Sequence, residues 1–425
     1  MIKILKFDEV DKKDIFSRAT AKVDVEKTVS EIIADVIENK DAALKKYCEK
    51  FDGASLSSLK VSDEEINDAI KVVDQGLLAV IKRAADNIRA FHEKQVRTGF
   101  EFVNPDGGVV GQKITPIESV GVYVPGGTAA YPSTVLMDVI PAKIAGVKRI
   151  VMVTPSKGGV ISPVILATAK VAGVNEIYKI GGAQAIAALA YGTESVEKVD
   201  KIVGPGNAFV AEAKRQVFGK VAIDTIAGPS EILVVSDGKS NPSHIAADLL
   251  SQAEHDKMAS AVLITDDCQF AEKVKDEIEK RIVSLKRRDI ARASIDDNGK
   301  IIVAKDIKKA IEIANEIAPE HLELCLSEPF EYLKLVKNAG SVFLGRYTPE
   351  ALGDYMAGPN HTLPTGGAAK FSSPLSVDDF IKKTQYVYYD ESAENKVADS
   401  VALFAESEGL TAHAESVTVR RKKDE

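Results

Sequence analysis

Four of the six histidines in this 425-residue chain stand beside side chains with which they could do chemistry. In Gln252-Ala-Glu-His255 an amide and an imidazole are three residues apart, so on a helix they would share a face and could present two ligands to one cation. Glu320 and His321 are adjacent, and such a pair could supply a proton acceptor and a carboxylate that orients water. An exposed helix end and a polar turn are the structural alternatives.

Two more histidines lie in polar segments towards the C-terminus. A long loop rich in glycine and proline contains Asp354, which offers a hard oxygen ligand, and His361, which could donate or accept a hydrogen bond. Long loops on α/β scaffolds often carry function. The segment 406–413 adds the carboxylate of Glu408 and the imidazole of His413. For both segments a solvated polar stretch is the alternative.

The remaining histidines and the cysteines indicate no further chemistry. His92 is predicted on the surface of a helix and His244 near a helix start. The three cysteines lack regular spacing, which argues against a disulfide framework and against a CxxC site. Cys325 lies in a strand-like run without a glycine-rich nucleophile setting, and Cys268 follows two acids that would raise the pKa of a thiol. We interpret neither as a nucleophile.

The elements that must position these residues alternate between helical patterns and short apolar runs. Helical spacing of apolar residues dominates 24–50 and 62–97. From about residue 119, apolar runs alternate with helical stretches as far as 217, and again over 231–344. This alternation predicts βαβ crossovers and mostly parallel sheets. The final segment, 377–420, is predicted to be helical with polar ends.

The sequence therefore predicts an α/β fold with two Rossmann-like parallel-sheet domains, a mainly helical N-terminal region and a C-terminal helical tail. The helical region, 1–115, is expected to pack on the second α/β domain. The first α/β domain is predicted at 116–229, the second at 230–376 and the tail at 377–425. Most of the candidate residues above fall in the second α/β domain and the tail.

Three strand-to-helix turns of the first α/β domain are rich in glycine. They read Pro125-Gly-Gly127, Gly181-Gly-Ala-Gln184 and Gly204-Pro-Gly-Asn207. Glycine lets the backbone approach a ligand closely, and the helix N-terminus beyond each turn offers N–H groups to a phosphate at the carboxyl ends of the strands. The GxGxxG dinucleotide fingerprint is absent, because the third turn lacks its last glycine and contains a proline. The turns indicate a phosphate-bearing ligand, or turn structure alone.

Composition excludes several classes of protein. The net charge of −8 argues against a nucleic-acid surface, and the basic cluster at 420–423 lies among acids at the extreme C-terminus. No apolar run approaches the ~20 residues of a membrane span. The first seven residues are too short and too interrupted by lysine for a signal peptide. We expect a reduced, cytoplasmic enzyme with no nucleic-acid or membrane partner.

Several long blocks of the sequence resemble the histidinol dehydrogenase family, in one order from about residue 20 to 420. They include Gly121-Val-Tyr-Val-Pro-Gly-Gly127, Leu249-Leu-Ser-Gln-Ala-Glu-His255, Pro319-Glu-His-Leu322 and Leu410-Thr-Ala-His413. The resemblance implies NAD-dependent oxidation of L-histidinol, through bound L-histidinaldehyde, to L-histidine, the last step of histidine biosynthesis. It also implies one zinc ion per subunit that positions the substrate. The sheet domains of this family lack the usual dinucleotide fingerprint, as this chain does.

The resemblance assigns roles to matching positions. The zinc ligands fall on Gln252, His255, Asp354 and His413. The acid–base pair falls on Glu320 and His321. Substrate contacts fall on Ser230, His361 and Glu408, in addition to His321 and the four zinc ligands. NAD contacts fall on Tyr123, Gln184 and Asn207. The family forms an intertwined homodimer, so His413 and Glu408 are expected to reach the site of the neighbouring subunit.

Three other functions fit parts of this sequence. An aldehyde dehydrogenase with a nucleophilic cysteine would lose activity when its thiols are alkylated. A metal-dependent hydrolase would account for Gln252, His255, Glu320 and Asp354, but it leaves the glycine-rich turns unexplained. An amino-acid-binding protein would need no acid–base pair and would form no NADH.

Overall fold

The computed structural model describes residues 1–18, 25–126 and 130–421. Gly127 of the first glycine-rich turn, and Lys422 and Lys423 of the basic cluster, lie outside these ranges. The chain forms two compact units, Met1–Gln95 with Glu118–Asp379, and Val96–Ile117 with Phe380–Glu425. Within the described residues, no helix combines the length and the apolar character that crossing a membrane requires.

Strands and helices are numbered in chain order. The strands are β1 (Lys3–Lys6), β2 (Phe100–Val103), β3 (Val109–Pro116), β4 (Ser119–Tyr123), β5 (Arg149–Val153), β6 (Glu176–Tyr178), β7 (Lys201–Val203), β8 (Ala222–Ile223), β9 (Glu231–Ser236), β10 (Ser260–Thr265), β11 (Lys300–Val303), β12 (His321–Cys325), β13 (Ser341–Leu344) and β14 (Ile381–Tyr388). The helices are α1 (Lys12–Phe16), α2 (Glu26–Asp52), α3 (Asp63–Val72), α4 (Gln75–His92), α5 (Pro132–Ala145), α6 (Pro163–Ala172), α7 (Gly182–Tyr191), α8 (Ala208–Val217), α9 (Pro242–Ala253), α10 (Cys268–Ile282), α11 (Arg288–Asn298), α12 (Ile307–Ile317), α13 (Pro329–Leu333), α14 (Glu350–Leu352), α15 (Glu391–Ser407) and α16 (Thr411–Thr418). A π-helical turn, Gly353–Ala357, directly continues α14.

The first unit contains two parallel sheets, as predicted. One sheet has five strands in the order β6-β5-β4-β7-β8, and the other has six in the order β1-β11-β10-β9-β12-β13. Their central strands are apolar runs, because helices cover both faces of such sheets. α5 shows how proline and glycine set the helix ends. Pro132 is its first residue, and Gly146 ends it in the left-handed conformation at φ 92°.

The six-stranded sheet determines where the acid–base candidates lie. Its strand order reverses at β9, because β10 and β11 lie on one side of β9 while β12 and β13 lie on the other. All these strands are parallel, so their amino ends share one edge. His321, the first residue of β12, lies opposite Ile232 of β9 and Ser341 of β13. Residues that begin these strands therefore meet at this amino edge.

The N-terminal helices pack mainly on the first α/β domain, and the expected packing on the second is wrong for them. Apolar residues of α2, including Val29, Leu44 and Tyr47, share one core with β5, α7 and α8. α3 and α4 pack against α6, and α4 also packs against α5. β1 and α1 are the exceptions: β1 is a parallel edge strand beside β11, and Ile15 of α1 is buried in the core of the second sheet.

The second unit corrects the prediction for the C-terminal tail. α15 and α16 are helical as expected, but Ile381–Tyr388 forms β14 instead of a helix. β14, β3 and β2 make a three-stranded antiparallel sheet. The β-branched and aromatic residues at the end of this segment, Thr384 to Tyr388, favour a strand, and pairing with β3 fixes it.

A buried ion pair holds the third glycine-rich turn. Lys214 of α8 and Asp224 pair with 2% and 4% of their side chains exposed. The Nζ of Lys214 also donates to the carbonyl oxygen of Gly204 at 3.0 Å, and the N–H of Gly204 donates to Oδ2 of Asp224 at 2.8 Å. Both sides of the Gly204 residue are thus fixed by one buried charge pair.

Replacing Lys214 with methionine should lower the free energy of unfolding by about 3–5 kcal/mol, because the Asp224 charge would stay buried without its partner. The matched control is Arg215→Met, which removes the neighbouring exposed ion pairs and should cost less than about 1 kcal/mol. Urea denaturation measures both changes. Equal urea midpoints for the two variants would mean that the buried ion pair stabilises the protein no more than the exposed ones do.

Candidate active site

The acid–base candidates lie at the amino edge of the six-stranded sheet. Glu320 immediately precedes β12, and His321 is the first residue of that strand. Only 8% of Glu320 and 4% of His321 is exposed. Ser230, predicted to contact the substrate, precedes β9 at the same edge and is half-buried.

One residue of β9 holds both candidates through its backbone. The N–H of Glu231 donates to Oε2 of Glu320 at 2.9 Å, and the carbonyl oxygen of Glu231 lies 3.0 Å from Nδ1 of His321. Because a carbonyl only accepts, Nδ1 carries a proton, and Nε2 of the neutral ring keeps its lone pair. Burial lowers the pKa of His321, which favours the neutral ring. No described residue gives Nε2 a hydrogen-bond partner.

Glu320 is a carboxyl group that holds a proton readily. Burial raises its pKa well above the ordinary value, and the charges of Glu231 and Glu350 raise it further, against the hydrogen bond from the Glu231 backbone. Its Oε2 lies 3.7 Å from Nδ1 of His321. A carboxylate whose pKa is raised in this way is a stronger base than an exposed one, so the pair is suited to proton transfer.

Two of the cation-ligand candidates come from the end of α9. Helices in βαβ units run antiparallel to the strands they connect, so the end of α9 returns to the amino edge of the sheet. Gln252, in the last turn, is 2% exposed. His255 follows in the loop, where its N–H donates to the carbonyl oxygen of Gln252 at 3.1 Å. The charge of His255 lies close enough to His321 to lower the pKa of that residue.

Asp354 and a carboxylate that the sequence analysis missed complete this group. Asp354 lies in the π-helical turn, and Glu350 begins α14 one turn earlier. Ligand atoms of His321, Glu350 and Asp354 all lie within 4.8 Å of one another. Oε1 of Glu350 is 4.0 Å from Nε2 of His321 and has no hydrogen-bond partner among the described residues. The available sequence signal was the four-residue spacing of Glu350 and Asp354.

This group fits a cation. Burial and the charge of Glu350 raise the pKa of Asp354 to about 9, so Asp354 holds a proton towards Glu350. Burial raises the pKa of Glu350, but hydrogen bonding from Asp354, the charge of His321 and hydrogen bonding from Gln252 together lower it. Two acids, an amide and an imidazole therefore converge where a shared proton offsets the negative charge. Oxygen and nitrogen donors of these kinds suit Zn²⁺.

His361 connects this group to the first parallel sheet. Its Nδ1 lies 3.7 Å from Oδ1 of Asp354, and its Nε2 lies 3.5 Å from Oγ1 of Thr134 in the first turn of α5. Burial, together with the charge of His321, lowers the pKa of His361 to about 4. The adjacent Thr362 donates to Oδ1 of Asp138 in α5 at 2.9 Å. Because α5 follows β4, the cation group lies beside the carboxyl end of the five-stranded sheet.

His92 corrects a prediction. It is fully buried in α4, not on the helix surface as expected, whereas His244 is exposed at the start of α9. Nδ1 of His92 lies 3.0 Å from the carbonyl oxygen of Ile88, and Nε2 lies 3.3 Å from Nδ2 of Asn360. Nδ1 therefore donates and Nε2 accepts. His92 anchors the residue next to His361, which is a structural role.

The predicted NAD contacts lie at the carboxyl edge of the five-stranded sheet. Tyr123 ends β4, and its hydroxyl oxygen accepts from the N–H of Gly182 at 3.1 Å. Gln184 is 1% exposed, and its Oε1 lacks a partner within the described ranges. Asn207 caps α8 by accepting from the N–H groups of Phe209 and Val210, which leaves its NH₂ group for a ligand. The NAD candidates thus lie at the carboxyl edge of one sheet, and the acid–base candidates lie at the amino edge of the other.

The predicted residues of the tail lie in the second unit. Glu408 closes α15, and His413 lies in α16. Both side chains are exposed in the chain taken by itself. Each is therefore accessible to a ligand or to another subunit.

Comparisons with known proteins agree on one family. The family model described as histidinol dehydrogenase matches residues 16–421. The histidinol dehydrogenase of Clostridium acetobutylicum is 55% identical over 93% of this chain and 92% of its own length, and that of Bacillus subtilis is 54% identical over 93% of each. A crystal structure of histidinol dehydrogenase from Elizabethkingia anophelis covers 99% of this chain and 98% of that chain, with 40% identity and a TM-score of 0.95. The predicted α/β fold is thereby confirmed.

Two glycine substitutions test the geometry of the third turn. Gly204 has φ 109°, and a Cβ there would lie 2.2 Å from the backbone oxygen of Tyr123. Gly219 has φ 96° but open space around it. Gly219→Ala should cost about 1 kcal/mol of stability through backbone strain, and Gly204→Ala distinctly more because the clash adds to it. Thermal unfolding of the two variants decides this, and equal losses would show that the turn is not closely packed.

Proposed function

The chain belongs to the histidinol dehydrogenase family, and on that premise we propose that it oxidises L-histidinol to L-histidine with NAD, through bound L-histidinaldehyde. This is the last step of histidine biosynthesis. One observation carries the proposal: the buried Nε2 of His321, without a partner among the described residues, lies 4.0 Å from Oε1 of Glu350, and these two residues and Asp354 form one candidate metal group. A lone pair in that position can take a proton from a bound alcohol.

His321 is the general base in this proposal. The Glu231 carbonyl fixes the ring with Nε2 unprotonated, so Nε2 accepts the hydroxyl proton as the substrate carbon is oxidised. The carboxylate of Glu350, 4.0 Å away, stabilises the resulting imidazolium. The same atom acts again in the second oxidation, when the hydrated aldehyde loses its hydroxyl proton.

Glu320 activates the water that hydrates the aldehyde. Its buried carboxyl has a raised pKa and lies beside the base, where it can take a proton from water as the water attacks the aldehyde carbon. The Glu231 backbone holds its Oε2 and leaves Oε1 for the water. The thiols are poorly placed for a covalent route: burial raises the pKa values of Cys48 and Cys325, and Cys268 follows the carboxyl end of β10, at the opposite edge.

Gln252, His255 and Asp354 would hold the zinc ion, with His413 as the fourth ligand. A bound zinc ion would supply a Lewis acid that fixes the substrate in place, and NAD would be the hydride acceptor. Ser230, His361 and Glu408 add substrate contacts, with His361 kept neutral and therefore able both to donate and to accept. Positioning of this kind removes up to about 7–11 kcal/mol of entropic barrier in ideal cases.

Tyr123, Gln184 and Asn207 would contact NAD. The free Oε1 of Gln184 and the free NH₂ group of Asn207 supply an acceptor and a donor beside the glycine-rich turns. The helices that start at these turns present N–H groups to the pyrophosphate. The contact between Thr134 of α5 and His361 supports a cofactor at this edge that lies near the substrate.

A homodimer would complete each site with Glu408 and His413 of the neighbouring subunit. Both residues are exposed in the single chain. The second unit also exposes large apolar side chains, among them Phe100, Phe102, Val387, Leu403 and Phe404. Exposed apolar surface of this kind marks protein interfaces.

The purified protein should reduce two NAD for each L-histidinol consumed, as measured by NADH absorbance and histidine yield. Removing the metal with a chelator should abolish this activity, because the substrate would no longer be positioned, and added Zn²⁺ should restore it. NADH formation that survives complete metal removal would contradict the role given to zinc. Absence of NADH formation from the zinc-loaded protein would refute the function itself.

Variants of the acid–base pair should separate the two oxidations. His321→Asn should slow both by about 10²–10⁴-fold, because both need the same base. Glu320→Gln should slow oxidation of histidinaldehyde more than oxidation of histidinol. Glu316→Gln removes an exposed carboxylate of α12 and serves as the control. If Glu320→Gln slows the two oxidations equally, Glu320 is not specifically the activator of water.

Mixing two inactive variants tests the shared site. His413→Asn and His255→Asn chains should each be inactive alone. In mixed dimers, one of the two sites then receives no substituted ligand if His413 acts across the interface, so activity should return after the chains are unfolded and refolded together. Continued inactivity of mixed dimers shown to form by mass spectrometry would mean that the tail serves its own chain.

A further inference from the structure

A second group of buried acids lies next to the site, and the proposed mechanism does not use it. Glu323 on β12 is fully buried, and Asp248 on α9 contacts it through a hydrogen bond between the two side chains. The thiol of Cys325 lies 3.7 Å from Oε2 of Glu323. Burial raises the pKa of Glu323 well above its ordinary value and that of Asp248 to about 6, so the two carboxyls share a proton.

Glu323 also reaches a third element. Its Oε1 accepts from the backbone N–H of Glu350 at 2.8 Å. Glu350 is the first residue of α14, which has no side-chain cap from the described residues that precede it. Oε1 of Glu323 therefore gives the first N–H of α14 a partner from the neighbouring strand, as a capping side chain would.

Asp248 and Glu323 of this group, and Glu350 that Glu323 contacts, each stand one structural repeat from a proposed site residue. Asp248 is four residues before Gln252 on α9, and Glu350 is four residues before Asp354, so each pair shares a helix face. Glu323 is two residues after His321 on β12, so their side chains point to the same side of the sheet. The hydrogen bonds of Glu323 thus connect the three elements that carry the base and the cation ligands.

Resting on the proposed function, we propose that Glu323, with Asp248, is a positioning residue that holds α9, β12 and α14 in the register the zinc ligands require. Both Glu323 oxygens already accept hydrogen bonds from the protein, so we assign this group a structural role instead of a second cation. Apolar residues would fill this space without the cost of burying two acids. The buried acids have a use if their hydrogen bonds align zinc ligands that come from separate helices and strands.

Zinc affinity of the metal-free protein, titrated with Zn²⁺ against a chromophoric chelator, tests this without relying on activity. Glu323→Leu should weaken zinc binding by about 10–100-fold, the usual effect of losing a group that orients metal ligands. Glu323→Gln keeps an oxygen for the Glu350 N–H and gains an NH₂ group towards Asp248, so it should bind zinc within a few-fold of the unsubstituted protein. Val234→Ala, at the β9 residue paired with Glu323, controls for general destabilisation.

The outcomes are distinct. Glu323→Leu that unfolds as easily as Val234→Ala yet binds zinc normally would overturn the positioning role, as would Glu323→Gln that loses as much affinity as Glu323→Leu. If Glu323→Leu does not fold, Asp248→Ala is measured in its place, with the same direction expected and normal affinity overturning the proposal. An unsubstituted protein that binds no zinc would instead overturn the proposed function, and this proposal with it.

Discussion

Burying a polar atom without a partner is costly, about 1–3 kcal/mol, and the site at the amino edge of the six-stranded sheet is organised around that cost. Within the described residues, Nε2 of His321 and Oε1 of Glu350 are both buried and both unpaired. The fold tolerates them because a dense set of hydrogen bonds determines where they lie. A substrate and a cation that gave these two atoms partners would remove this cost, and the free energy gained would favour their binding.

The backbone of Glu231 is central to that arrangement. One residue at the start of β9 donates to Glu320 and accepts from His321, so the strand pairing itself sets the tautomer of the base. α9 and α12 each lead into a strand of this parallel sheet, so both helices end at its amino edge. The cofactor side uses the opposite edge of the other sheet, where the ion pair of Lys214 and Asp224 holds the Gly204 turn.

Local sequence signals predicted the parallel sheets and many of their helices well. α5, for example, begins at Pro132 and ends at Gly146, the residues that typically mark the start and end of a helix. Long-range pairing was harder to read. Polar residues between Ile381 and Tyr388 hid β14, which forms because β3 lies beside it. The packing of the N-terminal helices on the first α/β domain likewise had no local signal.

For the site, single motifs left alternatives open, and the family resemblance named the residues. The structure brings Gln252, His255, Asp354, Glu320 and His321 to one edge, although their separate motifs also fitted solvated turns. Glu323 could not be inferred from sequence, because a lone glutamate in a strand signals nothing until its neighbours are known, and Glu350 had only its four-residue spacing from Asp354 as a signal. His92 was misjudged for the same reason: the partner that explains its burial, Asn360, is far away in the chain.

Anomalous diffraction at the zinc absorption edge, from crystals of the zinc-loaded protein, tests the central claim most directly. The account predicts one strong peak per subunit within about 2.0–2.2 Å of ligand atoms of Gln252, His255 and Asp354. A peak at Asp248, Glu323 and Cys325, or none at the amino edge of this sheet, would contradict it.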